Sequence, residues 1–121
     1  MPYENYWDEK GLHRKFTGNI CGKEILDSNL SIQGDARFDE IKYVLNDFSL
    51  INKFKLTEHD INIISTIDNV AAISKKSLKI AIVTTDTELL KWAKLYLEMM
   101  QGSPYIAGVF DSYNDAHNWV S

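Results

Sequence analysis

Hydrophobic and polar positions follow two different periods in the first third of the chain. Residues 3–7 and 12–16 are short aromatic or alternating runs, and the turn-rich tetrad 8–11 separates them. This pattern predicts a β-hairpin. Apolar residues then recur near helical spacing over residues 20–32, and Gly34 is placed to end that helix. We therefore predict an antiparallel pair of strands followed by a helix.

Strands and helices alternate through the rest of the chain. Residues 41–48, 78–84 and 105–110 are rich in apolar, β-branched or aromatic side chains on both alternations, which is typical of strands covered on both faces. Three amphipathic segments are preceded by residues with the spacing of helix-capping pairs, namely Thr57 with Asp60, Thr85 with Glu88, and Ser112 with Asp115. The predicted element order is β-β-α-β-α-β-α-β-α.

This order predicts an α/β fold. Strands separated by helices pair in parallel through right-handed crossovers. We therefore expect a mixed sheet with parallel central strands and the N-terminal hairpin at its edge. The chain has 121 residues, of which 45% are hydrophobic and 25% are charged, as expected for one globular domain. We predict a single domain over residues 1–121.

Charge and cysteine content argue against several classes of function. The net charge is −4 and the basic residues are scattered, so we expect no nucleic-acid partner. No apolar run is long enough to span a membrane, and the opening residues show no leader pattern. Cys21 is the single cysteine, which suits a cytoplasmic protein without disulfides. The sequence has no nucleotide-binding glycine loop or nucleophile elbow, so we predict neither a cofactor nor catalytic activity.

Three stretches carry a resemblance to a known family. They are Gly11-Leu12 with Lys15-Phe16-Thr17-Gly18, then Asp35-Ala36-Arg37-Phe38-Asp39-Glu40-Ile41-Lys42-Tyr43-Val44 with Asn46-Asp47-Phe48, and finally Val109-Phe110-Asp111-Ser112 with Asp115-Ala116 and Asn118-Trp119-Val120. In these stretches the chain resembles the SpoIIAA-like family of small bacterial proteins, which is related to STAS domains and to the CRAL-TRIO lipid-binding fold. The resemblance covers nearly the whole chain and implies a STAS-like domain that acts as a regulatory or binding scaffold.

The segment after the first central strand is a candidate interaction surface. In the related sporulation anti-anti-sigma proteins, a serine in a D-S-S-G-like turn is phosphorylated to break partner binding. The matching residues 47–54 lack that serine pair and the glycine, so the resemblance does not transfer the phosphoswitch to Ser49. Residues 50–56 mix apolar side chains with lysines in a predicted connection, where an amphipathic partner surface can form. The candidate surface residues are Ser49, Leu50, Ile51 and Phe54, and a plain loop packed on the core is the alternative.

Carboxylates at the carboxyl ends of the predicted parallel strands form a candidate ligand rim. Ligands of open α/β sheets bind at that edge, where we expect Asp47, Asp86 and Asp111. Three carboxylates can bind Mg²⁺. The alternative is that they cap helices or bind nearby backbone amides. The three histidines, His13, His59 and His117, are far apart in sequence. We predict that they lie at the surface or form hydrogen bonds within the protein, and that they do not bind zinc.

The sequence supports three hypotheses about function. The first is a non-enzymatic regulatory or protein-interaction domain of STAS-like type, which binds a protein partner or a second copy of itself as a homodimer. The second is a carrier of an apolar, lipid-like small molecule between helices and sheet, as the CRAL-TRIO resemblance implies, although a chain this short can spare little core volume. The third is a Mg²⁺-dependent enzyme that uses the acidic rim.

Overall fold

Within the described residues, 3–75 and 77–121, five strands form one mixed sheet. In this computed structural model the strands are β1 (Tyr3–Trp7), β2 (Gly11–Cys21), β3 (Tyr43–Lys55), β4 (Leu78–Val83) and β5 (Tyr105–Phe110). They lie side by side in chain order, with β1 antiparallel to β2 and all other neighbours parallel. The predicted α/β fold, with parallel central strands and the hairpin at the edge, is confirmed.

Helices cover both faces of this sheet. In the described part of the chain they are α1 (Gly22–Gln33), α2 (Glu58–Ser74), α3 (Thr87–Met99) and α4 (Tyr113–Val120), and a short 3₁₀ turn (Ala36–Asp39) follows α1. The first three share the main core with one face of the sheet, while α4 packs on the opposite face against β3, β4 and β5. Across residues 3–75 and 77–121, no helix has the length and apolar character needed to cross a membrane.

Two of the predicted helix starts are confirmed. The Asp60 amide donates a hydrogen bond to the Thr57 hydroxyl at 3.1 Å, and the Thr57 amide donates one to the Asp60 carboxylate at 3.0 Å. The Asp115 amide donates to the Ser112 hydroxyl at 3.1 Å and so caps α4. Such side chains satisfy the amides that have no partner within the helix itself.

The starts of α1 and α3 differ from the prediction. The predicted Thr85–Glu88 pair does not cap α3, because the Asp86 carboxylate accepts from two amides of the first turn at 2.8 and 3.0 Å. The predicted start of α1 at Ile20 is also wrong. Pairing of β2 with β3 continues past Ile20 and holds it in extended backbone, so the helix begins at Gly22.

β3 is longer than predicted. The strand predicted over 41–48 is extended to Lys55, so the predicted connection 50–56 is mostly strand. Its pairing with β4 ends at Asp47, whereas the remainder continues to pair with β2. β3 extends this far because a distant partner strand supplies backbone hydrogen bonds that the local sequence does not reveal.

Candidate functional site

A cavity lies between the sheet and the helices α1, α2 and α3. Its volume is about 80 Å³, several times the roughly 10–15 Å³ that one water needs. Most of its wall is apolar, and includes Val44, Ile64, Ile80, Ile82, Leu89 and Ala93. Leu56 and Trp92 also line it and are only half-buried, so the cavity approaches the surface near the start of α2 and the middle of α3.

One part of the cavity wall is polar and is built around Arg14 of β2, a residue that is 5% exposed. Its Nε donates to Asn46 Oδ1, and its Nη1 donates to Ser28 Oγ and Asn29 Oδ1, each at 2.7 Å. Burial lowers the pKa of the Arg14 guanidinium to about 10, and the nearby charge of Asp68 opposes that shift. Arg14 therefore keeps its positive charge at neutral pH.

Asp68 of α2 is the acidic member of the same polar group. Its Oδ1 accepts from Asn29 Nδ2 at 3.1 Å and from Gln33 Nε2 at 3.0 Å, and its Oδ2 accepts from the Tyr96 hydroxyl at 2.6 Å. Burial raises the pKa of Asp68, and the hydrogen bonds together with the Arg14 charge oppose the rise. Asn29 therefore links the two ionisable groups, because it accepts from Arg14 and donates to Asp68.

Tyr105 of β5 is a further lining residue that carries a polar group. The residue is 3% exposed, and among residues 3–75 and 77–121 its oxygen finds no hydrogen-bond partner. Burial, followed by the negative charges of Asp68 and Asp39, raises the pKa of this phenol to about 12, so it is protonated at neutral pH. A buried hydroxyl without a partner costs about 1–3 kcal/mol. Tyr105 lines the cavity, which offers the space for a partner.

The predicted interaction residues lie outside this cavity, on the extended part of β3. Ser49 and Leu50 are exposed, with Leu50 at 53%. Ile51 and Phe54 are half-buried and pack against the main core. The prediction that all four residues are exposed is therefore wrong for Ile51 and Phe54. Leu50 is the most exposed apolar side chain of this segment. An interaction role for the segment stays a prediction.

Two of the three predicted rim carboxylates, Asp47 and Asp86, follow the alternative interpretation. Asp47 Oδ1 accepts from the Ser49 amide at 2.9 Å, and Asp86 caps α3. Asp111 is exposed directly before Ser112, the cap of α4. The described residues contain no group of three or more His, Cys, Asp or Glu side chains placed to hold a metal ion. A shared Mg²⁺ site formed by these carboxylates is therefore not supported.

A second polar cluster, which the sequence did not predict, lies on the face of the sheet that carries α4. His13 Nε2 lies 3.0 Å from both Asp8 Oδ2 and the Tyr43 hydroxyl, and His13 Nδ1 lies 2.7 Å from the Tyr113 hydroxyl. The ring of His117 stacks on that of His13, with 5.9 Å between centroids. Both ring nitrogens of His13 therefore have hydrogen-bond partners within the protein, as predicted. The contact between His13 and His117 could not be predicted from their spacing in the sequence.

Asp8 is the acidic member of this second cluster. Burial acts to raise its pKa, but hydrogen bonds from the Lys10 amide, from His13 and Tyr43, and from the Gly11 amide together lower the pKa to about 2. With Nε2 of His13 donating to this carboxylate, Nδ1 is left to accept from Tyr113. The arrangement joins α4 to the β1–β2 turn. An open cleft of about 490 Å³ lies beside it.

Two signals in the sequence pointed to the polar wall of the cavity. Arg14 lies between Leu12 and Phe16 at the two-residue period of β2, so it shares their buried face. Asp68 lies on the apolar face of α2. Sequence reasoning counted Arg14 among the scattered basic residues and therefore missed it. Tyr105, at the start of an apolar strand, carried no such signal.

Layers and strand order define the class of this protein as an α/β domain with a mixed sheet, which in residues 3–75 and 77–121 carries three helices on one face and one on the other. It is similar to the solved structure of an uncharacterised protein from the DUF3478 family of Shewanella loihica PV-4, with a TM-score of 0.57 and 18% identity. The alignment covers 98% of this chain and 92% of that chain, which has a SpoIIAA-like fold. No family model and no curated protein matches the sequence. The chain thus has the SpoIIAA-like fold that its sequence predicted.

Proposed function

We propose that this protein is a non-enzymatic binding protein for a small molecule with an apolar body and one polar group. Of the three sequence hypotheses, this is the ligand carrier. The observation that supports it most directly is the unpartnered hydroxyl of Tyr105 beside an apolar cavity that also contains Arg14. Binding sites commonly combine apolar walls with a few fixed polar groups of this kind.

The size of the cavity limits the ligand. Pockets for drug-sized molecules usually occupy about 300–1,000 Å³, whereas this cavity has about 80 Å³. At roughly 10–15 Å³ for each water-sized group, it holds about six such groups. We therefore propose a compact ligand rather than the long lipid chain that the CRAL-TRIO resemblance implies.

The proposal is tested by thermal unfolding with compact probes, namely benzene, isovalerate and isovaleramide. A ligand at 100 times its dissociation constant adds about 2.7 kcal/mol to the free energy of unfolding. Ala93→Val extends two methyl groups from the cavity wall, whereas Ala107→Val adds the same groups on half-buried β5 outside that wall. We expect at least one probe to stabilise the wild type and Ala107→Val, and to have little effect on Ala93→Val. Equal stabilisation of all three proteins would contradict the proposal.

The extended part of β3 supports a second candidate, the regulatory or interaction role that the sequence also predicts. Beyond Asp47, in the described part of the chain, this strand has no partner on the side of β4. Such an edge can pair with a strand of another chain, and Leu50 is exposed beside it. A second copy of this chain is the proposed partner.

Sedimentation over a range of protein concentrations tests this second candidate. The expected result is a dimer that Leu50→Asp disrupts, because a buried unpaired charge would oppose association. Ile73→Asp, at a 72% exposed position of α2, is the matched control and is expected to leave the dimer intact. A monomer at every concentration would contradict self-association.

A further inference from the structure

The hydroxyl of Tyr105 is the polar group of the cavity wall that the protein itself leaves unused. Across residues 3–75 and 77–121, its oxygen is the one buried side-chain nitrogen or oxygen without a hydrogen-bond partner. The residue lies on β5, is 3% exposed and lines the cavity. A buried hydroxyl gains free energy when a partner restores the hydrogen bond that it lost with water. We therefore expect a ligand in the cavity to place its polar group at Tyr105.

The two ionisable groups of the wall already have partners within the protein. The Arg14 guanidinium donates three hydrogen bonds to side-chain oxygens, and the two oxygens of Asp68 accept from three side chains. Asn29 joins the two groups, because it accepts from Arg14 and donates to Asp68. In the part of the chain that the structure describes, neither group has a buried atom that lacks a partner. Arg14 and Asp68 therefore do not require a charged ligand.

The charges near Tyr105 disfavour an ionic ligand of either sign. The charges that act on its phenol are those of the carboxylates Asp68 and Asp39, which would repel an acid. The same carboxylates would attract an ammonium group, but the Asp68 oxygens already accept from their own donors, and Asp39 is exposed, so solvent screens its charge. A buried ion without an opposite charge in direct contact loses its hydration at a high cost. An uncharged ligand avoids this cost.

We infer that the ligand is a compact, uncharged alcohol, whose hydroxyl group forms a hydrogen bond with the hydroxyl of Tyr105. A hydroxyl group both donates and accepts, so it can pair with the phenol in either direction. The apolar body of the alcohol then occupies the space lined by residues such as Val44, Ile80 and Ala93. This inference rests on the proposed function and adds the chemical class of the ligand.

The test compares three probes that share one branched carbon skeleton and differ in charge. They are isoamyl alcohol, which is uncharged, isovalerate, which is an anion, and isoamylamine, which is a cation at neutral pH. Binding to the wild type is measured at neutral pH by two-dimensional NMR titration, with the backbone amides of the cavity-lining residues as reporters. We expect isoamyl alcohol to bind at least about tenfold more tightly than either ion, because each ion would lose its hydration in the cavity.

Tyr105→Phe removes the polar contact without breaking a hydrogen bond among the described residues. We expect this variant to bind isoamyl alcohol about three- to tenfold more weakly than the wild type, as for the loss of one hydrogen bond between neutral groups. Benzene, which has no polar group, should bind the variant and the wild type alike. Tyr113→Phe, on the helix that packs on the opposite face of the sheet, is the control and should bind isoamyl alcohol like the wild type.

Two results would overturn the inference while leaving the proposed function intact. The first is an ion that binds as tightly as isoamyl alcohol or more tightly, and the second is an unchanged affinity of Tyr105→Phe for isoamyl alcohol. If neither benzene nor any of the three branched probes binds in the cavity, the proposed function fails together with the inference.

Discussion

At the scale of single residues, Asn29 connects two ionisable groups that do not touch each other. Its Oδ1 accepts from Arg14, and its Nδ2 donates to Asp68. Buried charges are tolerated only when hydrogen bonds replace the water they have lost. The stability of this polar group therefore depends on one neutral side chain as much as on the charges themselves.

Replacement of Asn29 by alanine is expected to lower the free energy of unfolding by about 1–3 kcal/mol, because it removes an acceptor of Arg14 Nη1 and one of the donors to Asp68 Oδ1. Urea unfolding measures the change. Asn118→Ala, at an exposed position of α4, is the control and should change stability by less than about 0.5 kcal/mol. Equal effects of the two substitutions would mean that the buried group does not depend on Asn29.

At the scale of elements, the starts of α1 and α2 approach each other closely at Gly22. A Cβ atom placed there would clash with the Asp60 side chain. Asp60 is also the residue that exchanges hydrogen bonds with Thr57 at the start of α2. The absence of a side chain at Gly22 therefore lets one helix begin against the cap of another.

Gly22→Ala is expected to lower the free energy of unfolding by about 1–3 kcal/mol, because the added methyl group displaces Asp60 and disturbs the α2 cap. Gly34→Ala is the matched control. At Gly34 a Cβ would meet nothing closer than 3.5 Å, and φ is −85°, so alanine should be neutral or slightly stabilising. Chemical denaturation compares both variants, and a harmless Gly22→Ala would refute the close approach.

At the scale of the whole molecule, the second polar cluster joins the two ends of the chain. Tyr113 of α4 lies 100 positions from His13 of β2, and Asp8 in the β1–β2 turn holds the other side of the imidazole. The pKa of Asp8 in the folded protein, about 2, lies below its ordinary value. Asp8 therefore contributes stability above about pH 4, and this contribution is lost as the pH falls towards 2.

Asp8→Asn is expected to be less stable than the wild type at pH 6, and the difference should shrink between about pH 4 and pH 2. The Asp8 side chain is 46% exposed, so solvent screening limits the effect to below about 1 kcal/mol. Glu9→Gln, in the same turn, is the control. Unfolding midpoints across this pH range measure the effect, and a constant difference between wild type and Asp8→Asn would contradict the assignment.

The sequence by itself determined the features that depend on nearby residues. The hairpin, the element order and the Thr57 and Ser112 caps arise from turn chemistry and from hydrogen bonds that span only a few positions. The element order predicted the α/β class, and the resemblance of three stretches to a known family implied the SpoIIAA-like fold. The buried face of β2 also places Arg14 inside, although its partners could not be deduced from that pattern.

The tertiary structure alone decided the features that join distant parts of the chain. Asn29 and Asp68 are 39 positions apart, and His13 and Tyr113 are 100 apart, so no local spacing brings them together. β3 reaches Lys55 because β2 supplies its hydrogen bonds. The cavity exists because three helices and a sheet leave space between them, with Tyr105 facing it. Such features follow from packing and long-range pairing, whose energy appears only once the chain has folded.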